Sequence, residues 1–340
     1  MALHIQENVS LLPFHTFGIP CEAKWLVEVD AVETLSELKA HPTLSSQPWL
    51  VLGGGSNLLP TKDYAGLVLR MTAKGKRIIK EDDDHVWIKA EAGENWHDFV
   101  QWTLANQWYG LENLSLIPGT VGASPIQNIG AYGVEVKDCF ESLTAWHKAD
   151  DTVITLSNAD CQFGYRDSIF KQALKDKAII LSVTFRLNKQ PSLKTAYGEI
   201  AKELANQHIS EPTPRHVADA VIAIRQRKLP DPTQIGNAGS FFKNPVIATD
   251  IADEIATRFP NVVRYPAGDG LTKLAAGWLI DQCGWKGKSL GNAGVYEQQA
   301  LVLVNRGGAT GEEVLALSNA IIKSVQDTFG VTLEPEPIIL

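Results

Sequence analysis

IPGTVGASPIQNIGAYG, residues 117–133, holds glycine at 119, 122, 130 and 133 and carries no charged side chain. An ordered segment of this kind presents backbone N–H and C=O groups that must meet partners. A flat heteroaromatic rimmed by carbonyl and N–H groups is one such partner. Within the run, Gly119, Gly122, Ser124, Gln127, Asn128 and Gly130 are therefore candidate cofactor contacts. A second run, VLGGGSNL at residues 51–58, sets Gly53, Gly54 and Gly55 directly after a strand-like stretch, followed by Ser56 and Asn57. Backbone free of Cβ atoms can turn sharply there and aim successive N–H groups at one point, the geometry of a phosphate nest. Neither run has the spacing G-x-G-x-x-G before a long helix or G-x-x-x-x-G-K-[ST], so the Rossmann and P-loop readings fail. Alone, the 51–58 turn reads equally well as a hairpin. Paired with the uncharged loop, it reads as the phosphate end of a cofactor cradle.

Outward from these loops, the chain has 340 residues, too many for one small core, and splits most naturally into two or three domains. A hydrophobic fraction of 44% with 21% charged residues is that of a globular protein, and no apolar run is long enough to span a bilayer. The first ten residues lack the basic, apolar and small-residue order of an export signal, so a cytoplasmic location is expected. Cys21, Cys139, Cys161 and Cys283 are widely spaced with no C-x-x-C pair and read as free, buried thiols. The eight histidines show no ligand spacing, so no metal site is expected. A net charge of −8 opposes nucleic acid, and the dense basic stretch Arg225 to Lys228 is short, so any anionic ligand is small. Trp96, Trp102 and Trp108 recur every six residues, which scatters them around a helix and makes them packing residues.

The first half alternates short strands, at 49–52, 67–70, 86–90 and 178–187, with glycine-rich turns. Asn95 caps a helix whose buried face is Trp96, Phe99, Val100 and Leu104. Later, Thr213 and Pro214 open a helix ending at Lys228, with Val217, Ala220, Val221 and Ile224 on one face. A helix is expected over Lys273–Cys283 and a strand over Leu301–Asn305. Thr310 to Glu313 form a capping box for a last helix stopping at Gly330. The fold class is α+β, with a change of texture near residues 188–212.

Several stretches, taken together and in this order, resemble the UDP-N-acetylenolpyruvoylglucosamine reductase (UDP-N-acetylmuramate dehydrogenase) family over nearly the whole chain. They are His15–Ile19, Gly53–Leu58, Ala92–Trp96, Gly110–Leu114, Ile117–Gly133, Phe163–Ser168, Arg227–Pro230, Gly236–Pro245 and Leu333–Glu336. Leu193–Gly198 is similar to the longer branch of that family, which carries a tyrosine loop over the substrate. The resemblance implies a two-lobed FAD-binding domain of the vanillyl-alcohol-oxidase type over residues 1–188, with lobes of about 1–68 and 69–188. A C-terminal α+β substrate domain follows over 189–340, with a covering loop near 193–200. It implies NADPH-dependent reduction of UDP-N-acetylglucosamine enolpyruvate to UDP-N-acetylmuramate in peptidoglycan precursor synthesis, through non-covalent FAD. No membrane and no obligatory protein partner are implied. The tail Glu336 to Leu340 is shorter than the family's usual ending, and a terminal segment frays unless tied down.

An enolpyruvyl ether conjugates a methylene carbon to a carboxylate, so hydride addition at the methylene loads charge on the carboxylate side. Such charge needs a preorganised donor. The resemblance gives that task to Arg166 and Glu336, the latter protonated, and gives proton delivery to Ser240. It gives substrate contacts to Tyr165, Tyr197, Lys228, Asn244 and Gln299. Spacing alone leaves Arg166 as a loop ion pair with Asp167, Glu336 as a solvated edge residue, Ser240 as a turn hydroxyl and Lys228 as a helix C-terminal charge. Two rivals remain open at this point: an oxygen-using oxidase on the same flavin fold, and a nucleotide-sugar binding protein without catalysis.

Overall fold

Residues 3–340 are described by the computed structural model, and they form two compact units, each with its own core. The first comprises the N-terminal stretch through Val9, Ala23–Gly54 and Ala65–Arg225. It contains a four-stranded sheet in the order Gln6–Ser10, Glu22–Val29, Tyr64–Met71 and Trp49–Leu52. Trp49–Leu52 runs parallel to Tyr64–Met71, with Trp49 opposite Leu67. A five-stranded antiparallel sheet follows, ordered Thr152–Ser157, Phe140–His147, Ala178–Asn188, His85–Glu91 and Lys76–Glu81.

Helix Trp96–Ala105 begins where expected, because the Asn95 side chain accepts from Asp98 N–H at 3.0 Å. Its Trp96, Phe99, Val100 and Leu104 face is buried, with Trp96 and Phe99 rings 5.8 and 5.1 Å from Phe185 of the five-stranded sheet. Burial of such rings is worth about 1.5–3 kcal/mol each. The tryptophans are packing residues, as their spacing indicates: Trp102 stacks edge-on against Trp108 at 5.2 Å. Helices Gly198–Asn206 and Pro214–Lys228 form a further cluster from Ile200, Leu204, Val217, Val221 and Ile224, with Leu193 and Tyr132 against it. Ala218 also joins the core built on the five-stranded sheet. This packing carries the first compact unit through Arg225.

The second unit gathers Ser10–Glu22, Gly55–Tyr64 and Gln226–Leu340. Its main sheet is ordered Asn237–Ser240, Val302–Asn305, Ala293–Val295 and Ser289–Leu290. Helix Gly311–Phe329 buries Val314, Leu317, Ile321 and Val325, starts at the reciprocal Thr310–Glu313 capping box and stops at Gly330 with φ +71°. The helix expected over Lys273–Cys283 is shorter, Ala276–Gln282. Leu271–Leu274 is instead the central strand of a three-stranded sheet with Val246–Ala248 and Arg264–Pro266, whose ladder bonds override local helical periodicity. The chain's end is tied down. Ile338–Ile339 pairs in parallel with Leu58–Leu59, Leu340 N–H donates to Leu59 C=O at 3.1 Å, and Thr61 bonds the Leu340 carbonyl.

Candidate active site

In the first unit the two glycine-rich loops meet backbone to backbone. A Cβ on Gly54 would stand 2.8 Å from Gly119 Cα, and one on Gly53 would stand 2.5 Å from Thr120 Oγ1. Gly122 is pressed on Ala92, 2.5 Å from that residue's Cβ to a built Cβ. Glycine thus allows close approach here, because a Cβ at Gly54 or Gly122 would strike the facing chain. Ser124 is buried and spends its hydroxyl on Val121 C=O at 2.8 Å, closing a turn of 3-10 helix. Gln127 is half-buried on the same loop.

Asn128, fully buried with φ +46°, is held by three scaffold contacts. Its Nδ2 donates to Glu135 Oε2 at 3.0 Å and to Gly164 C=O at 2.9 Å, and its Oδ1 accepts from Lys137 N–H at 3.1 Å. Both amide hydrogens of Asn128 are thus spent on the scaffold. Through Gly164 it holds the turn carrying Tyr165 and Arg166. Arg166 Nη2 in turn donates to Gly130 C=O at 2.9 Å, and its guanidinium lies 5.4 Å from the Tyr165 ring centre. Lys171 Nζ donates to Arg166 C=O at 3.1 Å. Loop 117–133 and turn 163–168 are thus one assembly.

The backbone of that assembly is strained. Leu116 (φ +58°), Asn128, Tyr132 (φ +51°) and Arg166 (φ +53°) all occupy the left-handed region despite carrying side chains. Each such residue costs roughly 1–3 kcal/mol, and such strain clusters at functional sites. Tyr197, exposed and directly before helix Gly198–Asn206, leans edge-on against Tyr132 at 5.6 Å.

Sequence reading passed over Arg225. Burial pulls its guanidinium below the usual range, opposed by Tyr132, with which it shares a side-chain hydrogen bond. Its Nε donates to Leu116 C=O at 3.1 Å. The signal was present: Val217, Val221 and Arg225 follow one another at four-residue spacing, so Arg225 extends a buried helical row. Burial also pulls His97 below its ordinary value, and its Nδ1 accepts from Leu116 N–H at 2.9 Å.

In the second unit, Gly55 is wedged so that a Cβ would lie 1.9 Å from Phe14 C=O. Thr16 N–H donates to Gly55 C=O at 3.2 Å, and Thr16 Oγ1 donates to Asn237 C=O at 2.7 Å. Ser56 follows, half-buried in the turn. His15 is locked by Ile19 C=O at Nε2 (2.9 Å) and by Phe17 N–H at Nδ1 (3.2 Å), a structural role.

Ser240 ends strand Asn237–Ser240, after a register shift at Gly239, whose φ of +70° calls for glycine. The bulge turns Ser240 out to an exposed position while Phe241 and Phe242 beside it are buried. Phe241 C=O accepts from Glu336 N–H at 2.8 Å, Glu336 C=O accepts from Asn57 Nδ2 at 3.3 Å, and Asn57 C=O accepts from Ile338 N–H at 2.9 Å. Asn57, Ser240 and Glu336, far apart in sequence, are brought together by this chain of bonds. Asn244 Oδ1 accepts from Ala276 N–H at 2.9 Å and so sits at the start of helix Ala276–Gln282. Gln299 Oε1 accepts from Leu301 N–H at 3.3 Å, and Lys228 is half-buried at its helix end.

Among the described residues no group of His, Cys, Asp and Glu could hold a metal ion, and no helix is long and apolar enough to cross a membrane. Cys21, Cys139 and Cys161 are buried free thiols, pushed up to about 11, about 12 and about 12, first by burial. The abutting backbone loops of the first unit fit a flavin nucleotide, which needs amide donors for its diphosphate and peptide groups along its ring.

Comparison with known proteins agrees with this geometry. Residues 23–157 match the FAD binding domain family, and residues 231–340 match the C-terminal domain of UDP-N-acetylenolpyruvoylglucosamine reductase. The protein of that name from Chromobacterium violaceum is 53% identical over 341 residues, covering 100% of both chains. Its counterpart from Dechloromonas aromatica is 54% identical, covering 98% of each. The crystal structure of UDP-N-acetylenolpyruvylglucosamine reductase from Thermus caldophilus superimposes with a TM-score of 0.67 over 99% of both chains at 24% identity, a likeness of fold.

Proposed function

Since the chain belongs to the UDP-N-acetylenolpyruvoylglucosamine reductase family and is an FAD-dependent oxidoreductase, we propose how its own residues carry the NADPH-dependent reduction of UDP-N-acetylglucosamine enolpyruvate to UDP-N-acetylmuramate. The chemistry supplied by bound FAD is hydride carriage, from NADPH to the methylene carbon of the enolpyruvyl ether. Gly53, Gly54, Gly119, Gly122 and Gly130 offer peptide groups to that cofactor, with Ser56, Asn57, Gln127 and Asn128 beside them in sequence. No covalent tether is needed. The FAD-binding role is assigned to residues 1–188 and the substrate role to residues 189–340.

Hydride addition leaves the substrate carboxylate close to a dianion. Arg166 opposes that charge with a permanently protonated fork. Glu336, if held protonated by burial, donates to the same oxygens. The carbon bearing the ether oxygen then takes a proton from Ser240, so the C=C bond is reduced by one hydride and one proton while NADPH becomes NADP+. A free hydroxyl is a weak acid, so Ser240 serves as the last donor of a relay to a strongly basic carbanion. Tyr165, Lys228, Asn244 and Gln299 bind the sugar nucleotide, and Tyr197 covers it. The reaction runs in the cytoplasm and needs no protein partner.

The observation that carries this assignment is the bond from Glu336 N–H to Phe241 C=O, next to an outward-turned Ser240. It couples the proposed acid and the proposed charge holder through backbone. Anaerobic stopped-flow absorbance tests it in two halves. Ser240→Ala should bleach with NADPH at a near-normal rate, whereas reoxidation by the enolpyruvyl substrate should slow by about 10²–10⁴-fold. Equal slowing of both halves, or reoxidation within about threefold of wild type, removes Ser240 from the mechanism. Reoxidation faster in air than with the enolpyruvyl substrate would instead favour an oxidase.

A further inference from the structure

Asn113 takes no part in the chemistry above, yet its carboxamide ties two loops that do. It is 1% exposed, and its Nδ2 donates to Tyr132 C=O at 3.0 Å and to Lys194 C=O at 2.9 Å. Both acceptors are carbonyls, so the amide nitrogen must face them and neither bond survives a flip. We propose that Asn113 is a positioning residue for sugar-nucleotide binding, fixing the base of the Tyr197 segment to the glycine-rich loop 117–133. This rests on the reading of Tyr197 as the substrate cover.

The post is rigid. Asn113 sits in the 3-10 turn Glu112–Leu114, whose buried Glu112 accepts Gly110 N–H at 2.7 Å. The segment it holds is not built of regular structure: residues 191–196 run without helix or strand, and Lys194, Ala196 and Tyr197 are exposed. Leu193 gives that segment an apolar contact with the helix cluster, and Asn113 gives it a polar one. The other bond of Asn113 goes to Tyr132, the residue on whose ring Tyr197 rests, and a Cβ added to the neighbouring Gly133 would come within 4.0 Å of the Tyr197 ring. One side chain therefore sets both the tether of the cover and the surface it closes on. Its removal takes away the donor of two part-buried bonds, to Tyr132 C=O and Lys194 C=O, and frees the cover at its base.

The test uses the FAD-loaded enzyme under anaerobic conditions. Asn113→Ala should weaken apparent affinity for UDP-N-acetylglucosamine enolpyruvate by about tenfold while NADPH bleaching stays within about twofold of wild type. Trypsin cleavage after Lys194, followed by mass spectrometry, should accelerate by about tenfold as that bond is lost. Combined with Tyr197→Ala, the loss should be no greater than for Tyr197→Ala alone, because Asn113 acts through that side chain. Additive losses, or wild-type affinity and nicking in Asn113→Ala, overturn the proposal. Normal affinity in Tyr197→Ala alone overturns the cover reading instead, and the nicking rate then still reports on the tether. If Asn113→Ala loses FAD, Asn113→Ser, which keeps one donor, is measured in the same way, with an intermediate loss expected and none refuting.

Discussion

Replacing Gly54 by alanine places a methyl carbon 2.8 Å from Gly119 Cα, where ordinary contact begins near 3.4 Å, so the two loops must part by about 0.6 Å. Both partners are backbone, and neither can swing aside. Overpacking of this kind costs about 1–3 kcal/mol. If the loops close on FAD as they close on each other, that cost falls on binding and weakens FAD affinity by about 5- to 140-fold. Gly53→Ala provides the control. Its methyl meets Thr120 Oγ1 at 2.5 Å but the remaining Thr120 atoms only at 3.6 Å, so a rotation of one side chain relieves it. The assay is FAD titration into apoprotein followed by tryptophan quenching, with thermal unfolding in parallel. Gly54→Ala should bind FAD much more weakly than Gly53→Ala. The reverse order, or unchanged affinity in Gly54→Ala, refutes the claim that loop apposition forms the cradle.

Three further outcomes rest on particular contacts. Deleting residues 338–340 removes the bonds to Asn57, Leu59 and Thr61 and should cost about 1–3 kcal/mol, slowing reoxidation by the enolpyruvyl substrate more than NADPH bleaching; equal effects on both halves count against an anchored Glu336. Stability should fall on both sides of neutrality in denaturant titrations: His15 and His97, pulled below 6.5 mainly by burial, lose their contribution as pH falls, and Cys21, pushed from 9.0 to about 11, loses its own as pH rises through that interval. A flat profile from pH 5 to 11, chosen to bracket these values, contradicts that burial. Acid precipitation should release the yellow cofactor into the supernatant, and colour retained by the pellet establishes a covalent link.

What could be read from sequence and what could not divides along a physical line. Caps and local periodicity were legible: Asn95, Thr310 with Glu313, and Gly330 act within one helical turn of themselves, and each is where its pattern put it. The strands Trp49–Leu52 and Ala178–Asn188 announced themselves by apolar runs between turns. Long-range pairing was not legible. Leu271–Leu274 shares helical spacing with Ala276–Gln282 and becomes a strand because Val246–Ala248 and Arg264–Pro266 lie beside it. The attachment of Ile338–Ile339 to Leu58–Leu59 likewise has no local sign. In the same way the roles of Asn113 and Asn128 depend on carbonyls far along the chain, at Lys194 and Gly164, which no spacing rule connects to them.

The glycine-rich loops serve packing as well as any ligand. Gly53 and Gly54 suggest a phosphate nest, yet Gly54 also admits a second backbone and Gly53 the Thr120 side chain, since added Cβ atoms would strike Gly119 Cα and Thr120 Oγ1. The side chains of loop 117–133 similarly turn inward: Ser124 and Asn128 hold the loop and the Arg166 turn in shape. Four residues there accept left-handed backbone at a combined cost of several kcal/mol, which only a dense set of bonds can sustain. Strain and scaffold are thus two sides of one arrangement. A loop held in an unfavourable conformation by its own buried hydrogen bonds has little conformational freedom left to lose, and a segment fixed in this way would bind a partner at a lower entropy cost than a loose one.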